Sequence, residues 1–136
     1  MRIELERVGP AAFAARGGSG GEVVVDGAPE IGGEGRGMRP MELLLTALAS
    51  CAAMDVVHIL GRQRQNIENI EIFVDGTRRE GTPSPFSAVH LRFVAHGAVD
   101  PRKLERAVRL GVERYCSVGA TLDPDVRVTW EATLAG

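Results

Sequence analysis

Apolar residues along this chain are arranged in three ways, and each arrangement predicts a different element. Across residues 43–60 nearly every position is apolar or small, the polar exceptions being Thr46, Ser50, Cys51, Asp55 and His58. The apolarity runs round the whole helical wheel and not along one stripe, which predicts a long central helix buried on all sides. Pro40 and Glu42 suit its first turn, and the polar run from Gly61 to Asn66 returns the chain to water. A second helix starts at Asp100-Pro101, where Asp caps free N–H groups and Pro fits the first turn. Leu104, Ala107, Val108, Gly111, Val112 and Tyr115 then give it a single apolar face, which Cys116 continues.

Alternation of polar and apolar residues predicts the strands. Residues 2–8 read as a half-buried strand broken by Gly9-Pro10, residues 11–15 as a second, and residues 22–26 as a third ending at Asp26-Gly27. Residues 28–38, rich in Gly, Pro and Glu, form a loop feeding the central helix. Two further strands, residues 70–74 and 87–95, are joined by a loop with two prolines, and residues 126–134 form the last strand. The predicted order is β-β-β-α-β-β-α-β, an α+β chain and not an alternating α/β one. Six short strands and one other helix cover a helix apolar on all faces poorly, so a homodimer is expected.

Composition narrows this picture. With 136 residues the chain is sized for one domain, residues 1–136. Its 16 basic and 18 acidic residues give a net charge of -2 with no basic block, so no nucleic-acid partner is expected. The apolar run approaches the length of a membrane span, but an Asp near the centre of a span costs about 2.5–3.5 kcal/mol. With Asp55 and His58 inside it, the run is read as the core of a soluble protein with no membrane partner. The acids Glu4 and Glu6 stand where a signal peptide would be apolar, which points to the cytoplasm.

There the two cysteines, Cys51 and Cys116, are expected to be reactive or buried thiols, not a structural bridge. If the two helices pack together, both thiols face the same interior. Cys116, near the end of its helix, would have the dipole opposed to a thiolate. Asp55 and His58 are expected to form a polar pair at a subunit contact. No zinc site is expected, since His90 and His96 have no ligand spacing to either cysteine.

The stretch Arg39-Pro-Met-Glu-Leu-Leu-Leu-Thr-Ala-Leu-Ala-Ser-Cys51, then Met54-Asp-Val-Val-His-Ile-Leu60, and later Glu113-Arg-Tyr-Cys116-Ser-Val-Gly-Ala-Thr-Leu122, resembles the OsmC/Ohr family of small hydroperoxide-reducing proteins. The similarity spans essentially the whole chain and is greater to the OsmC-like branch than to the organic hydroperoxide resistance branch. The resemblance implies an OsmC-like fold and an intertwined homodimer with two sites at the subunit interface. It implies a thiol-dependent peroxidase for organic hydroperoxides in which Cys51 attacks the peroxide and Cys116 resolves the sulfenic acid as a disulfide. A cellular dithiol would recharge it, with no metal, flavin or haem.

The organic hydroperoxide branch also uses an arginine from the N-terminal strands and a glutamate ten residues before the first cysteine. Arg16 matches the arginine approximately, with Arg36 and Arg39 as competitors, whereas the glutamate position holds Met41. Glu42 lies on the face of a regular helix opposite Cys51, roughly 13 Å along it, and reads as a first-turn acid serving the dipole. Two readings follow: a peroxidase, favoured by the cysteine pair, and a non-catalytic redox-responsive or small-apolar-ligand binding protein of the same fold, favoured by Met41.

Overall fold

A computed structural model describes all residues from Met1 to Gly136. The chain divides into two compact units, Met1–Thr46 and Ala47–Gly136.

In the first unit β1 (Ile3–Arg7), β2 (Phe13–Gly17) and β3 (Glu22–Val25) form an antiparallel meander. The register sets Leu5 and Val23 opposite Ala15, and Glu4 and Glu22 opposite Arg16. Because side chains alternate across a strand, one face carries Ile3, Leu5, Phe13, Ala15 and Val23, and the other Glu4, Glu6, Arg16 and Glu22. The second strand begins two residues later than the alternation suggested. Ala11 and Ala12 belong to the turn after Gly9-Pro10, which the Val8 N–H closes onto the Ala12 carbonyl at 2.9 Å.

The loop after β3 has no hydrophobic period because one carboxylate organises it. Asp26, 2 % exposed, accepts N–H bonds from Gly27 at 2.8 Å, Glu34 at 3.0 Å and Arg36 at 3.1 Å. The Glu34 and Arg36 amides hold its carboxyl below the usual carboxylate range. The returning chain then runs parallel to β3 through a Val25–Met38 bridge. A Cβ on Gly37 would lie 2.0 Å from the Val24 carbonyl oxygen, so only glycine permits this approach. Glu42 closes the entry to the helix: its Oε1 accepts the Arg39 N–H at 3.0 Å, with Pro40 as the first helical residue. This is the first-turn role read from the sequence.

Helix α1 (Pro40–Arg62) begins in the first unit and ends in the second. In the second unit β4 (Asn66–Arg78) and β5 (Phe86–Ala98) pair antiparallel, and β6 (Arg127–Leu134) pairs parallel to β5. The parallel pair requires a crossover, which carries α2 (Pro101–Leu110) and a short α3 (Ser117–Thr121). The hairpin strands are far longer than the runs 70–74 and 87–95. Asp75 and Gly76, read as a stop, instead pair with His90 and Val89, because long-range pairing overrides a local turn signal. Asp100 caps α2 as expected, accepting the Arg102 N–H at 2.8 Å.

One face of β5 supplies Val89, Leu91, Phe93 and Ala95 to the core, α2 supplies Leu104, Ala107 and Val108, and α1 supplies Leu48, Ala49, Ala52, Val56 and Leu60. Full burial of residues the size of Phe93 or Leu48 contributes about 1.5–3 kcal/mol each. α1 is long and apolar enough to cross a membrane by length and composition, yet it spends one face on this core. Its opposite side is open in the single chain, where Met54 is 70 % and Val57 43 % exposed. Enclosure on all sides is therefore not achieved by one copy. The opposite face of the sheet is polar, with His96 to Glu71 at 2.6 Å and Arg92 stacked 4.3 Å from the centre of the Phe73 ring.

Asp26 yields a pH-dependent prediction. A carboxyl whose folded pKa is depressed stabilises the fold fully above its unfolded pKa, about 3.9, and loses that contribution as pH falls through the folded value. Asp26→Asn should lower the urea midpoint by a constant amount above about pH 5, and the difference should shrink below about pH 4. A gap between the two proteins that is independent of pH would contradict this.

Candidate active site

Three pieces of backbone in the second unit position the two cysteines. Cys51 lies on the middle of α1, one residue before the buried Ala52, and is half-buried. The second cysteine is placed differently from the sequence expectation. The helix predicted to run from Pro101 to Cys116 ends at Leu110, and Gly111–Tyr115 forms one wide turn of π-helix. Cys116 then has extended backbone, φ -69° and ψ 106°, and caps the N-terminus of α3. The wide turn shifts the register of the apolar face, so the face read as continuous from Val112 to Cys116 is broken.

The turn is tied down at its start by the absence of a side chain. A Cβ on Gly111 would lie 3.0 Å from the Ala52 carbonyl oxygen and 3.1 Å from Val56 Cγ2. At its end, Cys116 is 4 % exposed and its Sγ accepts the Gly119 N–H at 3.2 Å. Its thiol donates weakly toward the Leu48 carbonyl, 3.8 Å away and one turn before Cys51. Both cysteines are free thiols.

Electrostatically, burial pushes the Cys116 thiol up, the Gly119 N–H opposes it, and the adjacent Cys51 thiol adds to the rise. The expected cause was a helix C-terminus. The observed setting is a helix N-terminus, whose N–H groups favour the thiolate, and desolvation outweighs them. Cys116 is thus a protonated, water-excluded thiol beside a more accessible one. That pairing suits attack at Cys51 followed by condensation with Cys116.

The other candidates are placed as follows. Arg16 stands on β2 in the first unit, exposed, with its guanidinium 3.1 Å from Glu22 and 3.9 Å from Glu6. The Arg36 guanidinium bonds the Val8 carbonyl, and Met41 lies in the first turn of α1. Asp55 is half-buried and His58 exposed, and neither makes a side-chain hydrogen bond, so the polar pair expected of them is not formed within the chain. Sequence reasoning missed the Leu48 carbonyl, the Gly119 amide and Gly111. No local signal marked the second, because cysteine is not among the residues favoured at a helix start.

The difference in exposure predicts the order of alkylation. Under native conditions near neutral pH, iodoacetamide should label Cys51 at least tenfold faster than Cys116, and urea should abolish the difference. Peptide mapping by mass spectrometry checks this, and equal labelling of the folded protein would contradict it.

Comparison with known proteins gives a consistent lineage. The family model for OsmC-like proteins matches residues 33–131. Protein YhfA of Escherichia coli K12 is 32 % identical over 130 residues, covering 95 % of this chain and 94 % of YhfA. A hypothetical protein of Aquifex aeolicus VF5 is 37 % identical in its crystal structure, with TM-score 0.82, over 99 % of this chain and 97 % of that one. The crystal structure of an organic hydroperoxide resistance protein OsmC from Legionella pneumophila superimposes with TM-score 0.70 over 98 % and 96 % of the two chains. At 16 % identity that likeness is one of fold.

Proposed function

The chain belongs to the OsmC-like family, and from that premise we propose that it is a thiol-dependent peroxidase that reduces organic hydroperoxides. The observation that carries the reading is the pairing of a half-buried Cys51 with an adjacent, buried Cys116 thiol. In the first step the Cys51 thiolate attacks the outer oxygen of the hydroperoxide. An S–O bond forms, the O–O bond breaks, and the alkoxide takes a proton and leaves as an alcohol. The Cys51 sulfenic acid condenses with the Cys116 thiol, releasing water and leaving a disulfide. A cellular dithiol then reduces that disulfide and is itself oxidised to a cyclic disulfide. Free thiols suit the reducing cytoplasm that this cycle requires. The apolar side chains of α1 around Cys51, among them Leu48 and Ala52, favour an alkyl hydroperoxide over hydrogen peroxide. Arg16 is the candidate partner for the Cys51 thiolate.

A second reading, a non-catalytic redox-responsive or small-apolar-ligand binding protein, is favoured by Met41 at the glutamate position and by the carboxylates already paired with Arg16. A peroxide-consumption assay with a dithiol reductant separates the two. The first reading expects turnover of an alkyl hydroperoxide at least tenfold faster than of hydrogen peroxide and loss of turnover in Cys51→Ser. Cys116→Ser should accumulate sulfenic acid at Cys51, and Arg16→Ala should slow the first step. No turnover of either peroxide and no reaction at either thiol would leave the second reading in place, whereas wild-type turnover in Cys51→Ser would refute attack at Cys51.

The proposed assembly is a homodimer. Its support is the open side of α1, with Met54 and Val57, and the apolar face of the first sheet, where Ile3 is 55 % and Leu5 61 % exposed. Sedimentation at micromolar concentration should give a dimer, and a cooperatively folded monomer would refute it.

A further inference from the structure

Glu113 and Trp130 lie outside the pair of thiols, yet the structure ties them to it. Glu113 is the middle residue of the π turn that delivers Cys116. Its Oε1 accepts the indole N–H of Trp130 at 3.1 Å. Trp130 is on β6, opposite Leu91 of β5, a fully buried position, so the indole projects from the core-bearing face of the sheet. The wide turn therefore has three anchors: Gly111 against Ala52 and Val56 at its start, Glu113 on Trp130 in its middle, and Cys116 on the Gly119 amide and Leu48 carbonyl at its end. A π turn is a rare single-turn insertion in competition with the α-helical register, so the contacts around it decide which register it keeps. Loss of the middle anchor would let the turn rewind and carry the Cys116 sulfur off the line to Cys51.

We infer that Glu113 and Trp130 form a positioning pair that holds the π turn so that the Cys116 thiol can close onto oxidised Cys51. The inference rests on the cysteine cycle proposed above and assigns its resolving step to a latch that neither thiol contains. In that step the Cys116 sulfur attacks the Cys51 sulfenic sulfur. The S–S bond forms, the S–O bond breaks, and hydroxide leaves with the Cys116 proton as water. The Cys51 sulfur is reduced and the Cys116 sulfur oxidised. Neither Glu113 nor Trp130 exchanges a proton or an electron, so their loss acts on the rate of closure and leaves the attack on peroxide untouched.

The test uses the full chain, one equivalent of tert-butyl hydroperoxide, and rapid alkylation with mass spectrometry to follow the sulfenic acid and the disulfide separately. Glu113→Ala and Trp130→Phe should form the Cys51 sulfenic acid at the wild-type rate and close to the disulfide about five-fold more slowly, a change of about 1 kcal/mol as expected for one hydrogen bond. The double variant should be no slower than either single one, and Glu113→Gln, which keeps an acceptor oxygen, should close at nearly the wild-type rate. Excess peroxide should drive the slow variants further to the Cys51 sulfinic acid. Unchanged closure in Glu113→Ala and Trp130→Phe would overturn the inference. A parallel arm with oxidised glutathione forms a mixed disulfide at Cys51 and requires the same closure without any peroxide chemistry. Slower closure in that arm, with no sulfenic acid in the first, would refute the peroxidase and uphold the latch.

Discussion

The close approach of Gly111 to the Ala52–Val56 turn of α1 is the contact on which the second unit depends. Ala52 and Gly111 are the small residues that let the crossover lie against the helix, and both are buried. A larger side chain at Gly111 would meet a backbone carbonyl at 3.0 Å, and overpacking of a filled core costs about 1–3 kcal/mol. The consequence is chemical as well as mechanical. Ala52 follows Cys51 directly, and Cys116 follows the turn that Gly111 opens, so the packing that closes the core also sets the two thiols side by side.

The same packing explains why the thiols differ. Cys116 loses water and its thiol is pushed up, although it caps a helix whose N–H groups favour the thiolate. A resolving thiol tolerates this. Its target is a sulfenic sulfur held beside it, and its own proton leaves with the departing hydroxide. An attacking thiol has no such help, because peroxide reduction needs the thiolate before the substrate arrives. In the proposed cycle, desolvation would thus set the division of labour. The helix-end argument drawn from sequence rested on a helix C-terminus at Cys116, where the structure has a helix N-terminus.

Much of the fold was legible because its signals were local. The cap at Asp100, the first turn at Pro40 and Glu42, and the alternation in β5 each rest on a few adjacent residues, and each is present in the structure. The features that the sequence did not show depend on distant partners. β4 runs through Asp75-Gly76 because β5 pairs with it, and β6 lies parallel to β5, an outcome that no residue in residues 126–134 encodes. The π turn escaped because a spacing of three and four cannot reveal one inserted residue per turn. Asp26 escaped for a similar reason: its partners are backbone amides eight and ten residues away, which any sequence could supply. In the site, the two cysteines were readable as a pair, whereas the groups that tune Cys116 are an amide and a carbonyl.

Activation of Cys51 is where chemistry and fold pull hardest against each other. Met41 offers no charge and Glu42 is occupied by the Arg39 amide, so the first turn of α1 supplies no acid to organise an arginine, and the free carboxylate on the helix near the thiol is Asp55, one turn beyond Cys51. Arg16 has carboxylates of its own on β1 and β3. Those pairs are exposed on both sides, and exposed ion pairs are worth about 0–1 kcal/mol. A thiolate in a half-buried site holds a guanidinium more firmly, because the effective dielectric is lower and fewer waters compete. Glu6 and Glu22 therefore keep the guanidinium extended on β2 without trapping it, and the proposed role of Arg16 requires it to give up these partners.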